Sequence, residues 1–382
     1  MSGLANHSCG TDFLIMTIDT ASSAIPADAL ALHQSLLTLD SHIDIPWPDR
    51  DDAFLDTPQR HVDFPKMKRG HLTAGCFVAY IPQGVVDSEG HRAAQTQTIA
   101  MLHAIENHMQ GTRNGLTARV CQTSAEIETA YQDGVLAVMP GVENGYGMGE
   151  DVGLLKQFRG LGARYVTLTH NGHNALADSG QPSRRLGDTE VRHGGLSVLG
   201  REAVAEMNRL GLLVDVSHAS RDTMLQAVEI SSVPVVATHA CVRALCDHPR
   251  NLDDVQLDAL KASGGLIQIT AVSGFLRPRA ELGGRRASVA DYMDHLDYVV
   301  RRIGPEYVGI SSDFDGGGQL DGWENASDSP ALTAELLRRG YDRSEIAAFW
   351  GGNFLRLLRR AEHESHIATS RPISSTGVPG TM

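Results

Sequence analysis

The chain has 382 residues, 42% of them hydrophobic, with 39 Gly and 15 Pro, which suits one large globular domain or two of medium size. Its 33 basic and 46 acidic residues leave a net charge of −13, which argues against nucleic acid and anionic membrane surfaces as partners. No window reaches the ~20 apolar residues of a membrane span, and five cysteines without CxxC spacing point to reduced thiols rather than a disulfide framework.

The apolar run at 13–16 is short and flanked by Asp12 and Asp19, unlike a secretory leader. Residues 1–25 therefore read as a loose arm, and a cytoplasmic protein without a membrane anchor is expected. A short helix follows Pro26, and 36–39 reads as a first buried strand, stopped by Pro46 and Pro48. Residues 49–68 are polar and Pro-punctuated, hence a loop. A second strand is expected at 71–81, a helix at 95–110 from its Ile99, Leu102, Ile105, Met109 spacing, and a third strand at 135–142. Thr123 with Glu126 marks a helix start. Strands at 165–169, 212–216, 233–238, 265–269 and 307–311 then alternate with helices at 151–159, 196–210, 221–230, 253–262 and 289–303. Helices at 331–339, 344–350 and 353–361 close the pattern, and 364–382 reads as a disordered Ser/Thr/Pro/Gly-rich tail.

The later strands are continuous apolar runs, as a parallel sheet covered on both faces requires. Eight strands separated by helices favour an α/β fold of the (β/α)8 TIM-barrel type, a single domain over 26–363. A doubly wound open sheet would usually bring a Gly-rich phosphate turn, and neither GxGxxG nor GxxxxGK[ST] occurs.

The chemistry sits at the strand ends. His42 and Asp44 are two apart, so in an extended chain both leave the same face. Alone, such a pair is ambiguous. Yet the third strand ends in Glu143, the fourth in His170, the fifth in His218, the sixth in His239 and the eighth in Asp313, and all would meet at the C-terminal rim of a barrel. A His/Asp/Glu set without Cys suits zinc, with manganese or cobalt as substitutes. Five ligands exceed the three of one catalytic zinc, so two ions sharing a carboxylate and a bridging hydroxide fit better.

The segments DSHID, GVENG, TLTHN, VDVSHAS, ATHACVRALCDHPRN and GISSDFDG, in this order across residues 36–360, resemble the membrane (renal) dipeptidase family of zinc metallopeptidases, amidohydrolase-type barrels. The resemblance implies one Zn2+ on His42 and Asp44, a second on His218 and His239, and Glu143 bridging them. It implies Asp313 as general base and then acid, His170 as the group steadying the tetrahedral oxyanion, and Arg250 as the grip on the substrate carboxylate. It allows a homodimer. The expected activity is hydrolysis of dipeptides, including L,D or Cys-Gly-type substrates. The alternatives are another amidohydrolase-type reaction, on an N-acyl amino acid or a lactone, and a catalytically silent binding protein that keeps the barrel.

One segment departs from the family. After the seventh strand many relatives carry an Asn-aromatic-Tyr run whose Tyr helps hold the substrate; here Thr270-Ala271-Val272 stands there. Asp315 is read as the cap of its own turn, and His173, His193 and His248 as supporting or surface residues. Cys241 and Cys246 are read as packing thiols, Asn251 as orienting Arg250 or opening the next helix, and Trp323 as a pocket wall or a surface aromatic.

Overall fold

The computed structural model describes residues 25–47 and 52–370, with side chains described to 365. Among the described residues ten strands form in chain order: β1 (Leu39–Asp44), β2 (Ala74–Tyr80), β3 (Gly111–Arg113), β4 (Leu116–Val120), β5 (Leu136–Glu143), β6 (Tyr165–Thr167), β7 (Leu213–Asp215), β8 (Val236–Ala240), β9 (Leu266–Ile269) and β10 (Val308–Ile310). Eight of them run β1-β2-β5-β6-β7-β8-β9-β10, each neighbour parallel. The ring closes between its ends, where the Asp44 amide donates to Phe314 O and the Asp313 amide to His42 O, both at 3.1 Å. This is the (β/α)8 barrel expected from the strand–helix alternation.

Strand parity explains where the site forms. Ala74, Cys76 and Val78 of β2, Ala137 and Met139 of β5, Tyr165, Leu213, Val236 and Leu266 share one buried cluster with Phe354, Leu355, Leu357 and Leu358 of the last helix. That helix, Asn353–Ser370, thus plugs the end of the barrel where the strands begin. The alternate positions, such as Phe77, Val138, Val166, Val214, Ala237 and Ile267, pack with the surrounding helices. Continuing the inward parity brings Tyr80, Glu143, Thr167, Asp215, Thr238 and Gln268 into the barrel toward its open end.

Several boundaries differ from the sequence expectation. β1 starts at Leu39 and runs through the polar stretch to Asp44, because its polar groups find partners: Ser41 Oγ donates to Thr238 O (2.8 Å), and Asp40 Oδ1 accepts from the Ser312 amide (3.0 Å). β8 extends to Ala240, so His239 lies inside it. The hairpin β3–β4 was not expected; Asn114-Gly115, both at positive φ, make its turn. The helix expected at 95–110 begins earlier, as Ser88–His108, with Asp87 accepting from the Glu89 and Gly90 amides. Thr123 and Glu126 form the anticipated capping box. The last helix continues past 363 to Ser370; the N-terminal arm (1–24) and the end of the tail (371–382) lie outside the described residues. Cys76, Cys121, Cys241 and Cys246 are buried free thiols, in line with the packing role read for the last two.

Candidate metal centre

Glu143, the last residue of β5, is the hub of the barrel mouth. Its Oε2 lies 3.4 Å from His42 Nε2; its Oε1 lies 3.1 Å from His218 Nε2, 3.5 Å from His239 Nε2 and 3.7 Å from His170 Nε2. Among the described residues three overlapping sets of potential ligand atoms, each within 4.8 Å, result: His42, Glu143 and His239; Glu143, His170 and His218; and His42, Asp44 and Asp313. Every residue that the sequence placed at this site arrives there, and Arg250 joins His170, His218 and Asp313 in lining the same cavity of about 720 Å3.

The hydrogen bonds on the far side of three imidazoles fix their tautomers. Tyr165 OH donates to Ser41 O (3.0 Å), so it accepts from His42 Nδ1 (3.1 Å). Thr238 Oγ1 donates to Asp215 Oδ2 (2.7 Å), so it accepts from His239 Nδ1 (3.0 Å). Asn171 Oδ1 accepts from His218 Nδ1 (3.1 Å). Nδ1 of each ring is thereby committed as a donor, so each Nε2 is the atom that faces Glu143 and that a neutral ring would offer to a metal ion. His42 Nε2 and Asp44 Oδ1 are buried without a hydrogen-bond partner among the described residues. Leaving such atoms bare is costly unless a cation takes them. The donor set therefore fits divalent cations.

The electrostatics agree. Burial, helped by the Arg250 charge, holds His218 and His239 well below the usual histidine value, and for His239 the neighbouring His42 adds to this. Burial also lowers His170, to about 4. These rings are neutral. Burial and the Glu143 carboxylate push Asp44 well up. His42 is opposed by burial, yet the Glu143, Asp313 and Asp44 carboxylates raise it to about 10. Three buried carboxylates facing one another need positive charge, and in a loaded site a cation would displace the proton from His42.

Two site residues sit at strained backbone positions: His218 at φ 63° and Asp313 at φ 61°. Left-handed conformations of non-glycine residues cost about 1–3 kcal/mol and persist where surrounding structure enforces them. Here Gly318 N donates to Asp313 O (2.7 Å) and Gly180 N to His218 O (2.8 Å).

The remaining sequence readings divide. Asp315 does not cap its own turn: its carboxylate accepts from the His61 and Val62 amides (2.7 and 3.2 Å) and latches the loop before β2 to the rim after β10. Trp323 is neither pocket wall nor surface; it is buried against Phe314 and Tyr292. Asn251 instead ties Cys246 O to Phe275 O, while Asp253 caps the next helix. His173, His193 and His248 support loops through the Ser179 amide, Asn174 O and the Arg250 amide. At the departure after β9, Val272 lines the cavity, and Phe275 from the turn Ser273–Leu276 places its ring 5.4 Å from the Arg250 guanidinium carbon. Sequence reasoning passed over Tyr80 and Arg60, and gave Asn171, the end of the TLTHN segment, no role; all three are in the cavity wall, and the parity of β2 was the available signal for Tyr80.

The comparisons with known proteins follow this geometry. The family model "Membrane dipeptidase (Peptidase family M19)" matches residues 27–371. Dipeptidase aclJ of Aspergillus oryzae is 33% identical over 325 residues, 83% of this chain and 74% of that protein. Dipeptidase verJ of Clonostachys rogersoniana is 33% identical over 355 residues, 88% of this chain and 87% of that protein. Among solved structures, the probable dipeptidase PvdM of Pseudomonas aeruginosa superposes with a TM-score of 0.79 at 28% identity, covering 88% of this chain and 98% of that one. A metallopeptidase of Rhodobacter sphaeroides, liganded with a phosphinate mimic of L-Ala-D-Ala, gives a TM-score of 0.73 at 26% identity, covering 85% of this chain and 99% of that one. The chain belongs to the membrane dipeptidase family of metallopeptidases, peptidase family M19.

Proposed function

We propose that this protein is a dinuclear zinc dipeptidase that hydrolyses the peptide bond of dipeptides with a free C-terminus. The observation that carries this reading is the two-sided seating of Glu143, with Oε2 toward His42 and Oε1 toward His218 and His239. In this reading His42 and Asp44 would hold one Zn2+ and His218 and His239 a second, with Glu143 placed to serve both; Mn2+ or Co2+ would be alternative occupants. Ions bound there would supply a water activated for attack at neutral pH.

The chain's own residues do the rest. Burial, with Glu143 and Asp40 nearby and against the pull of His42 and Arg250, raises Asp313 to about 7. A carboxylate at that value can take a proton from the attacking water and return it to the leaving amine. Neutral His170, at the cavity wall, donates to the oxyanion that develops on the carbonyl oxygen. Arg250, buried and donating to His239 O (3.3 Å), grips the substrate carboxylate, and this fixes the scissile carbonyl over the cluster. The ligand of the Rhodobacter sphaeroides relative supports acceptance of a D-residue at the C-terminal position.

A second reading, hydrolysis of an N-acyl amino acid, draws on the apolar Val272 in the wall where relatives carry the Tyr-bearing run. A screen of L,L and L,D dipeptides beside N-acyl amino acids separates the two. Turnover of N-acyl amino acids with none of any dipeptide would replace the first reading by the second.

A further inference from the structure

β8 and β9 are the sixth and seventh strands of the barrel ring and pair directly, in parallel. Among the described residues, the segments that follow them bring Arg250, Val272 and Phe275 to the cavity of the candidate metal centre. Apart from the guanidinium, this stretch of wall is therefore apolar.

The Phe275 ring is fixed relative to that guanidinium. Its centroid lies 5.4 Å from the Arg250 guanidinium carbon. The Phe275 amide donates to Val272 O (2.9 Å), which closes the turn that carries both side chains. Asn251, next to Arg250 in the chain, is buried and donates through Nδ2 to Phe275 O (2.7 Å) and to Cys246 O (2.8 Å). His248 packs its ring against Phe275, with centroids 4.5 Å apart. Val272 and Phe275 are only partly buried and both line the cavity, so each leaves apolar surface facing it.

A carboxylate gripped by Arg250 places its oxygens about 2.8 Å from the guanidinium nitrogens, with the Cα of the C-terminal residue two bonds beyond. The side chain on that Cα leaves within reach of the Phe275 ring. An apolar side chain there removes carbon surface from water on both partners. A polar one gives up hydration against carbon, which returns no hydrogen bond.

We infer that Val272 and Phe275 form an apolar subsite that selects dipeptides with an apolar C-terminal side chain. The inference rests on the dipeptidase reading and names the substrate class within it. Phe275 is the specificity-determining residue, because its ring is tied through Asn251 to the segment that carries the carboxylate grip.

The test uses the zinc-loaded full chain with Ala-Gly, Ala-Leu and Ala-Asn, the last two with an L- and with a D-residue at the C-terminus. Asn matches Leu in shape and differs in polarity, so the pair isolates the apolar contact. The wild type is expected to prefer Ala-Leu over both Ala-Gly and Ala-Asn in kcat/KM, on whichever enantiomer it turns over faster. Phe275→Ala is expected to lower the Ala-Leu to Ala-Gly ratio by roughly 10- to 100-fold, the range of a few methylene contacts in an apolar pocket, mainly through KM. Phe275→Leu should keep most of that ratio, and Val272→Ser should lower it in the same direction. If Phe275 served only to hold Arg250, all three substrates would fall alike, so an unchanged ratio in Phe275→Ala would overturn the inference. Wild-type turnover without preference for Leu would also overturn it, and would leave the dipeptidase reading standing. Absence of turnover of any dipeptide would overturn that reading and the inference with it.

Discussion

Gly316 lies so close to Asp44 that a Cβ on Gly316 would overlap Asp44 Oδ2, and would stand 2.5 Å from Asp313 Oδ1. The turn after β10 is therefore cut to fit the carboxylates of β1 and of its own rim. Gly316→Ala should displace Asp44 and weaken the ion it faces by at least about tenfold, with a matching loss of activity and an unchanged far-ultraviolet spectrum. Wild-type metal content and turnover in this variant would show that Asp44 is not needed as a ligand.

Asp313 groups with His42 and Asp44 as a potential ligand set, yet its raised value suits proton transfer. Asp313→Asn should keep both metals and lose about 10²- to 10⁴-fold in kcat, the span of general acid–base contributions. Bound-metal analysis decides between the roles: loss of one ion in this variant would make Asp313 a ligand.

The site was legible in the sequence because its residues close strands whose apolar runs are readable, as with Glu143 after the run at 135–142. What was not legible was the support beneath. Tyr165, Asp215 and Thr238 are inward residues within strands, and only the closed ring brings Tyr165 to His42 and Asp215 to both Thr167 and Thr238. β1 was placed too early because an apolar criterion cannot find a strand of Asp40, Ser41, His42 and Asp44, whose burial is compensated by hydrogen bonds from distant strands. Asp315 was misread for a similar reason: its partners lie about 250 positions away.

Tyr165 sets the tautomer of His42 from behind. Tyr165→Phe removes the acceptor for His42 Nδ1 and leaves the ring packing in place. Metal affinity, measured by competition with a chelator, should fall by about 10- to 100-fold, as for other lost supports of ligating histidines. An unchanged affinity would mean that the Tyr165 hydroxyl does not orient His42.

Two histidines remote from the site should govern acid stability. His295 Nδ1 accepts from the Val242 amide (3.0 Å) and Nε2 donates to Leu276 O (2.9 Å); His33 Nε2 donates to Gly70 O (2.9 Å). Burial lowers both to about 4, against the bonds to these carbonyls. Their folded values lie below the unfolded 6.5, so their contribution is fully present above pH 6.5 and is lost as pH falls toward 4. The loss can reach about 3 kcal/mol for each ring. Chelator-treated protein should lose stability in denaturant titrations from pH 7 to 4.5, and both rings should stay neutral by nuclear magnetic resonance down to pH 5. Titration of either ring near 6.5 would contradict this.

The central claim is a two-metal dipeptidase centre hinged on Glu143. The most direct test measures zinc per chain and dipeptide hydrolysis together, on the wild type and on His218→Ala. The account predicts two zinc ions per wild-type chain with turnover of L,L or L,D dipeptides, and one ion with nearly all activity lost in the variant. A single ion in the wild type, or wild-type turnover in His218→Ala, would contradict it.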